Sequence, residues 1–193
     1  MVTIETPNIL NDSGSLSLID ELGDSIHEDE AVVSFQHLRF VRPFGTLLAA
    51  EALRDFLSRR LKRGLTTRYL HDERIRNEFQ GAIGYLKYFG FFKYCNIDVG
   101  NPPNREYHTL AYLPIQELSV ESLTGPGKRD SWRNRIDKKC DELAEVVVGN
   151  NQYAAQVLSY CFRETVRNVF EHSGTETCSV MAQHYRATGE IEI

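Results

Sequence analysis

Three polar residues, Glu164, Asn168 and His172, recur at four-residue spacing near the end of the sequence. They lie in the stretch from residue 151 to 174, NQYAAQVLSYCFRETVRNVFEHSG, whose pattern predicts one long helix. Each step of four residues advances only about 40° beyond a full turn, so the three side chains share one helix face. A carboxylate, an amide and an imidazole aligned in this way suggest a site lined by this helix.

The face that carries these residues is predicted to point inward. On a helical wheel Asn168 and His172 fall on an apolar stripe, and Glu164 sits at its edge. The stripe comprises Ala154, Val157, Leu158, Cys161, Thr165 and Val169. Polar groups that face a core need partners, which favours a binding site. The alternative stays open that Glu164 and Asn168 are an ordinary solvated pair and that the helix dipole alone favours His172.

A short hairpin is predicted directly after this helix. Gly174 and Thr175 end the helix, and strands at 177–185 and 190–193 can pair across residues 186–189. The motif FRETVRNVFEHSG followed by a hairpin resembles the N-box of the GHKL ATPase superfamily, which includes histidine kinases, gyrase, heat-shock chaperones, MutL and anti-sigma-factor serine kinases. Its combination of RE, N and HSG is most similar to the histidine-kinase and anti-sigma branch.

The resemblance implies that this region binds ATP with Mg²⁺. In the family, the asparagine of this motif binds the magnesium ion that bridges the nucleotide phosphates, and by position this is Asn168. The acidic residue often orients or deprotonates the nucleophile, which makes Glu164 the expected catalytic residue. His172 matches the HS pair that closes the helix and is expected to pack or hydrogen-bond near the cofactor. Magnesium prefers hard oxygen ligands and keeps several waters, so one amide oxygen plus phosphate oxygens suits it.

The sequence lacks the segment that completes a GHKL nucleotide pocket. Family domains continue after the hairpin into a D-x-G-x-G segment, whose aspartate binds the adenine amino group, and later into a glycine-rich lid. No D-x-G-x-G occurs in the 193 residues. We therefore expect an N-terminal fragment of a longer protein, and we expect this fragment to bind nucleotide weakly or not at all.

Composition and charge argue against several other classes of protein. The chain is 41% hydrophobic, which suffices for one or two cores, and its net charge of −5 disfavours nucleic acid or acidic membranes as partners. No apolar run reaches membrane-span length, and no signal-peptide pattern opens the sequence. We expect a cytoplasmic protein. Four cysteines without C-x-x-C spacing are expected to be buried, reduced thiols: Cys95, Cys140, Cys161 and Cys178.

The elements between residues 31 and 115 predict a small α/β sandwich. Strands at 31–41, 65–70 and 107–115 alternate with helices at 46–63 and 73–89. This order favours parallel pairing with right-handed crossovers. A basic cluster at the end of the first of these helices is expected in solvent, where the helix dipole favours it; it comprises Arg59, Arg60, Lys62 and Arg63.

This part of the chain resembles a STAS domain, the fold of anti-anti-sigma factors. The resemblance rests on VSFQHLRFVRPFGTLLAAEAL and on YLKYFGFF. STAS switches usually present a serine or threonine at the helix start, but here Phe44 occupies that place and Thr46 lies two positions later. The resemblance therefore implies a sensory or docking module that binds a protein partner without being phosphorylated. An α/β domain that merely packs on its neighbour is the alternative.

The expected fold class is α/β, with a STAS-like sandwich preceding the first helices and β-hairpin of a GHKL sandwich. Residues 1–30 are expected to be a partly ordered leader, 31–116 the STAS-like domain, 117–129 a linker, and 130–193 the partial GHKL domain. Within that last part, a helix ending at residue 148 is predicted from the stripe Trp132, Ile136, Cys140, Leu143 and Val147.

Two functional hypotheses from different classes follow. The first is a cytoplasmic regulatory protein whose complete form binds Mg-ATP, either for hydrolysis-driven switching or for phosphotransfer to a protein serine or threonine. The second is a non-catalytic interaction module with a degenerate nucleotide site. A winged-helix nucleic-acid binder on residues 73–95 is a third interpretation, which the acidic balance disfavours. A homodimer stays open, and no membrane partner is expected.

Overall fold

The computed structural model describes residues 1–70, 81–99, 112–121, 132–149 and 151–193. The chain divides into two units, an N-terminal unit (Met1–Glu106) and a C-terminal unit (Tyr107–Ile193). Both units combine helices with β-sheet, which confirms the α/β class. Within the described ranges, no helix is both long and apolar enough to cross a membrane.

Parallel strands form the sheet of the N-terminal unit. β1 (Val2–Glu5), β3 (Glu30–Ser34) and β5 (Thr66–Leu70) pair in the order β1-β3-β5. The short strands β2 (Ile9–Leu10) and β4 (Phe40–Val41) form a second parallel pair. The parallel pairing predicted from the alternation of strands and helices is thus confirmed.

Helices connect these strands. α1 (Asp12–Asp24) follows β2, α2 (Pro43–Lys62) follows β4, and α3 (Gly81–Tyr88) and the single-turn α4 (Phe91–Tyr94) come after β5. The helix predicted at 73–89 is described only from the start of α3, because residues 71–80 lie outside the described ranges. α1 and α2 pack against each other, and their core residues include Leu18, Leu22, Leu53 and Phe56.

Residues 1–30 are part of this core, so the prediction of a partly ordered leader was wrong. β1 pairs in register with β3, with Val2 opposite Ala31 and Ile4 opposite Val33. Leucines of β2 and α1 are buried beside them: Leu10, Leu18 and Leu22. The sequence pattern is weak here because β1 and β2 contain only 4 and 2 residues, and strands this short leave little periodicity to detect.

α2 begins three residues earlier than predicted, and its first turn contains Gly45 at a close backbone contact. The predicted strand 31–41 is two strands, and α2 begins at Pro43 because proline suits the first helical turn. A Cβ on Gly45 would lie 2.6 Å from the carbonyl oxygen of Leu10. The Ser15 hydroxyl of α1 also donates to the Gly45 carbonyl at 2.7 Å. Only glycine therefore permits this close approach of α2 to the start of α1.

Arg60 is the most completely buried charged side chain described in this unit, with 0% of its surface exposed. The prediction that it lies in solvent was wrong. Its Nε donates to the Thr67 hydroxyl at 2.9 Å, and its Nη atoms donate to backbone carbonyls. Those carbonyls, at 2.6 to 3.4 Å, belong to Ser25, Glu28, Asp29 and Thr66. Burial lowers the pKa of Arg60, while the charges of Glu28 and Asp29 raise it. The guanidinium thus ties the loop after α1 to the start of β5.

Replacing this guanidinium should destabilise the N-terminal unit. Arg60→Lys keeps the charge but removes the planar fork, which leaves several buried carbonyls without donors, and we expect a loss of about 3 kcal/mol. Arg59→Lys is the matched control, because Arg59 is exposed and forms an exposed ion pair with Asp55, and its cost should stay below about 0.5 kcal/mol. Hydrogen exchange of peptides from residues 1–70 in increasing urea measures both. Equal losses for the two variants would contradict this role.

Antiparallel strands form the sheet of the C-terminal unit. β6 (Tyr112–Ser119) is followed by α5 (Trp132–Val148) and α6 (Gln152–His172), and then by the hairpin of β7 (Thr177–Tyr185) and β8 (Glu190–Glu192). The strands pair in the order β6-β7-β8. The two helices and the hairpin agree with the sequence prediction to within two residues at each end described.

β6 belongs to this unit, which corrects two predicted boundaries. The sequence pattern gave residues 107–115 to the STAS-like domain and 117–129 to a linker, but β6 runs to Ser119 and pairs with β7. Residues 107–111 and 122–131 lie outside the described ranges. Pro114 lies inside β6. The register with β7 shifts between Leu113 and Gln116, and such an irregularity on an edge strand accommodates proline.

The core of the C-terminal unit lies between α5, α6 and the sheet. The stripe predicted for α5 is confirmed at the four positions whose side chains are described, Ile136, Cys140, Leu143 and Val147, all of which are buried. They pack in one cluster with residues of α6, β6 and β7: Leu158, Phe162, Val166, Leu113, Leu118, Val180 and Ala182. α5 and α6 therefore share a continuous apolar seam.

Polar contacts beside this seam fix how α6 is rotated against α5. Nη2 of Arg167 lies 2.7 Å from Oδ1 and 3.0 Å from Oδ2 of Asp137. Nε of Arg163 lies 3.7 Å from the same Oδ1. One turn along α5, Asp141 accepts a hydrogen bond from the buried Ser159 hydroxyl. Asp137 and its two arginines are each about 30% exposed, so water screens these contacts only in part.

Removing the Asp137 carboxylate should loosen this helix pair. Asp137→Ala leaves two partly buried guanidinium groups without their acceptor, and we expect the free energy of unfolding to fall by about 1–3 kcal/mol. Urea unfolding can be followed by tryptophan fluorescence, because the single tryptophan, Trp132, is the first residue of α5. Glu142→Ala on the same helix is the control, because Glu142 forms an exposed pair with Lys139. Its cost should stay below about 1 kcal/mol, and equal costs would refute the role of Asp137.

Candidate functional site

Caps at both ends define α6, the helix that carries the predicted site. The Asn151 side chain accepts a hydrogen bond from the Ala154 amide at 3.1 Å and caps the first turn. At the other end, the Ser173 hydroxyl donates to the Val169 carbonyl. Gly174 then adopts a positive φ of 70°, the conformation in which helices commonly end. The helix predicted over 151–174 is confirmed as residues 152–172.

The inward-facing stripe predicted for α6 was wrong. The buried residues are Leu158, Ser159, Phe162 and Val166, of which only Leu158 belonged to the predicted stripe. Cys161 and Thr165 are exposed, and Val157 is 50% exposed. The error arose because α6 carries apolar residues on two sides. The polar contacts of Ser159, Arg163 and Arg167 with α5 select the side of Phe162 for the core.

The three predicted site residues lie on the side of α6 away from this core. Glu164 is half-buried, whereas Asn168 and His172 are exposed. They share one face of the regular helix, as their spacing predicts. In the part of the chain that the structure describes, none of the three side chains makes a hydrogen bond or an ion pair. Their polar groups are therefore available to a ligand or to solvent.

The neighbouring arginines, unlike the three site residues, contact the other helix of the unit. Arg163 and Arg167 directly precede Glu164 and Asn168 in the sequence, and both reach Asp137 on α5. These contacts hold the helix that presents the site residues, and sequence reasoning missed them. The available signal was the matching four-residue spacing of Arg163 and Arg167 on α6 and of two aspartates on α5.

The exposed face of α6 is unusually apolar along its first three turns. Tyr153 is 79% exposed, Tyr160 is 60% exposed, and Val157 lies between them at one-turn spacing. The same face continues into Glu164 and Asn168. Contiguous apolar side chains in water mark surfaces that bind something. We call this surface the α6 outer face.

The donor chemistry of this face fits magnesium better than a metal held by protein alone. Among the described residues, no group of three or more histidine, cysteine or acidic side chains is placed to hold a metal ion. Mg²⁺ needs only one or two protein oxygens when phosphates and waters supply the rest. The amide oxygen of Asn168 and the carboxylate of Glu164 are ligands of that kind. Nucleotide with Mg²⁺ is therefore compatible with the residues present.

The cysteines separate into inner and outer thiols. Cys95 and Cys140 are buried, as predicted, Cys178 is half-buried, and Cys161 is exposed, which corrects the prediction for that residue. Burial raises the pKa of Cys140 to about 12 and that of Cys178 to about 11. These thiols therefore stay protonated and unreactive at neutral pH.

Thiol labelling tests which side of α6 faces solvent. At pH 7.5 a maleimide should modify Cys161 first, and Cys95 and Cys140 should react only after unfolding, because their side chains are sealed from solvent. Mass spectrometry of tryptic peptides identifies the labelled residue. Cys161→Ser should abolish the fast phase. Rapid modification of Cys140 in the native protein would contradict the rotation of the helix pair.

Comparisons of this chain with known protein families, with curated proteins and with solved structures find no significant match. The function proposed for the chain rests on the residues of α6 and on the motif FRETVRNVFEHSG.

Proposed function

We propose that α5, α6 and the β7–β8 hairpin are the first elements of a GHKL-type domain that binds Mg-ATP in the complete protein. The observation that carries the proposal is the contrast on α6. The core side of α6 and its arginines contact α5, while the side chains of Glu164, Asn168 and His172 make no hydrogen bond or ion pair with any residue that the structure describes. The helix backbone fixes the spacing of the three residues on one face, and their polar atoms are open to a ligand.

Each residue of the site has a chemical role in this proposal. The Asn168 amide oxygen is the magnesium ligand, and the half-buried Glu164 carboxylate orients or deprotonates the attacking hydroxyl or water. His172, in the last turn of α6, donates a hydrogen bond near the cofactor. Bound Mg-ATP would supply the phosphoryl group that is hydrolysed or transferred to a protein serine or threonine. Asp137, through Arg163 and Arg167, holds the helix against α5 while the ligand binds.

The N-terminal unit supplies the regulatory part of the proposal. Its parallel β1-β3-β5 sheet with α1 and α2 is compatible with a STAS-like domain. Phe44 is in the first turn of α2 and is 47% exposed, which gives that helix end an apolar contact point rather than a phosphoacceptor. We infer that a protein partner binds the STAS-like domain and that the whole is a cytoplasmic signal-transduction protein.

A second candidate function is favoured by the exposed aromatic residues. Tyr153 and Tyr160 lie on the same face as Asn168, and tyrosines with exposed rings are typical of protein interfaces. In this alternative, the α6 outer face docks a protein and the nucleotide site is degenerate. The two functions differ in whether removal of the Asn168 amide changes nucleotide binding.

Titration calorimetry with Mg-ATP on the protein encoded by the whole gene separates them. Asn168→Ala should weaken binding about tenfold or more, which is about 1.4 kcal/mol, because the metal loses its protein ligand. Glu164→Gln should bind within about twofold but lose about a hundredfold in phosphoryl turnover. Gln156→Ala is the matched control, since it removes an exposed amide from the same helix.

Three outcomes decide between the hypotheses. Unchanged binding heat for Asn168→Ala would retire the magnesium role. Binding without turnover in the unaltered protein would remove the catalytic role of Glu164 and leave a nucleotide-dependent switch. Absence of any Mg-ATP heat in the unaltered protein would leave the interaction module as the function.

A further inference from the structure

β5 lies at one edge of the three-stranded sheet in the N-terminal unit. Among the described strands, it pairs with β3 alone. Thr66 and Arg68 on this strand are exposed, and Arg68 forms a loose ion pair with Glu30 at 4.0 Å. The outer backbone groups of an edge strand can pair with a further strand, so folded proteins usually cover or guard such an edge.

A groove of about 710 Å³ runs between this edge and α2. Leu65, Thr67 and Tyr69 line it from the strand side, as alternate residues that face the same way. Leu57 and Leu61 line it from α2, and Leu61 is 79% exposed. Three leucines on one groove form a shared apolar surface in contact with water, which is typical of a contact site.

The acidic residues of the groove are already paired within the chain. Nη2 of Arg54 lies 3.0 Å from Oε2 of Glu51, and Nε of Arg59 lies 2.8 Å from Oδ2 of Asp55. Because these charges balance, the groove is poorly suited to select an ionic ligand. Its uncovered features are the backbone edge of β5 and the leucine side chains, which suit a partner strand with apolar residues at alternate positions.

A second copy of β5 is complementary to this edge. A two-fold axis perpendicular to the sheet pairs two copies of the strand antiparallel and keeps α2 of both copies on the same side. Side chains that lie opposite each other then face the same way. With Thr67 on the axis, Leu65 of each copy lies opposite Tyr69 of the other, which gives two apolar cross-strand pairs beside the grooves. On the other face, Arg68 lies opposite Thr66, so like charges do not meet.

Neighbouring registers are less favourable. With Arg68 on the axis, the two guanidinium groups would lie opposite each other and repel. With Tyr69 on the axis, Arg68 would lie opposite the apolar Leu70, and Leu65 would lie outside the overlap of the two strands. The side-chain pairs therefore favour the register centred on Thr67.

We propose that β5 pairs antiparallel with β5 of a second copy of this chain, so that two three-stranded sheets join into one. The grooves of the two copies then become part of the buried contact, and Leu57 and Leu61 of each copy are covered by the other. A second copy fits this edge better than an unrelated strand, because one short stretch supplies both members of every side-chain pair. The inference is independent of the nucleotide site, since every residue in it belongs to the N-terminal unit.

Sedimentation velocity of the whole chain over a concentration series measures this dimer. Leu61→Glu puts a charge into the contact, and its folding is spared because Leu61 is exposed in the single chain. We expect the dissociation constant of the dimer to rise about tenfold or more. Leu16→Glu is the matched control, because Leu16 is an exposed leucine of α1 that does not line the groove. Its dissociation constant should stay within about twofold of the unaltered protein.

A cross-link tests the register. Thr66→Cys places a thiol on the exposed face of β5, in a Cys161→Ser background that removes the exposed native thiol. With Thr67 on the axis, the two copies of residue 66 are diagonal neighbours about 7–8 Å apart, so a bismaleimide with an ethylene spacer should join them. Asp20→Cys in the same background, on the exposed side of α1, should give no cross-linked dimer.

The outcomes that contradict the proposal are distinct. A chain that stays monomeric at its highest soluble concentration would overturn it and leave the β5 edge to a strand of another protein. A dimer that Leu61→Glu and Leu16→Glu weaken equally would place the contact elsewhere. A dimer without a cross-link at residue 66 would do the same.

Discussion

The attachment of α6 to α5 is the interaction on which the C-terminal unit depends. Apolar side chains supply the contact area, but such a seam is compatible with several rotations of one helix about its axis. The Asp137 carboxylate removes that freedom because it binds two arginines one turn apart. The rotation it selects sends Phe162 and Val166 inward and sends Glu164 and Asn168 outward. The apolar core and the Asp137 contacts therefore agree on which side of α6 faces solvent.

The elements of the C-terminal unit were largely predictable because their signals are local. Asn151, Gly149 and Gly174 mark the boundaries of α5 and α6 within a few residues of each position. Periodicity did not predict which side of α6 is buried, because the helix carries apolar residues on two sides. Val157 and Cys161 lie on one side, and Phe162 lies on the other. The choice between the two sides depends on ion pairs with α5, which no pattern within α6 contains.

The N-terminal unit shows the same limit over longer distances. Its core strands are short and pair with strands that are separated from them by a helix, so the burial of β1 has no local signature. Arg60 was placed in solvent because it belongs to a basic run at a helix end. Its five hydrogen bonds go to residues that only the folded chain brings near.

The burial of Arg60 has a practical consequence for trimming the chain. Three of its acceptors are the carbonyls of Ser25, Glu28 and Asp29, all within the first thirty residues. A version starting at residue 31 would delete an outer strand and at the same time leave a guanidinium ion stranded in an apolar interior. A cut at the boundary expected for a disordered leader therefore removes three of the five hydrogen-bond acceptors of a buried cation, and the shortened product would be prone to aggregate.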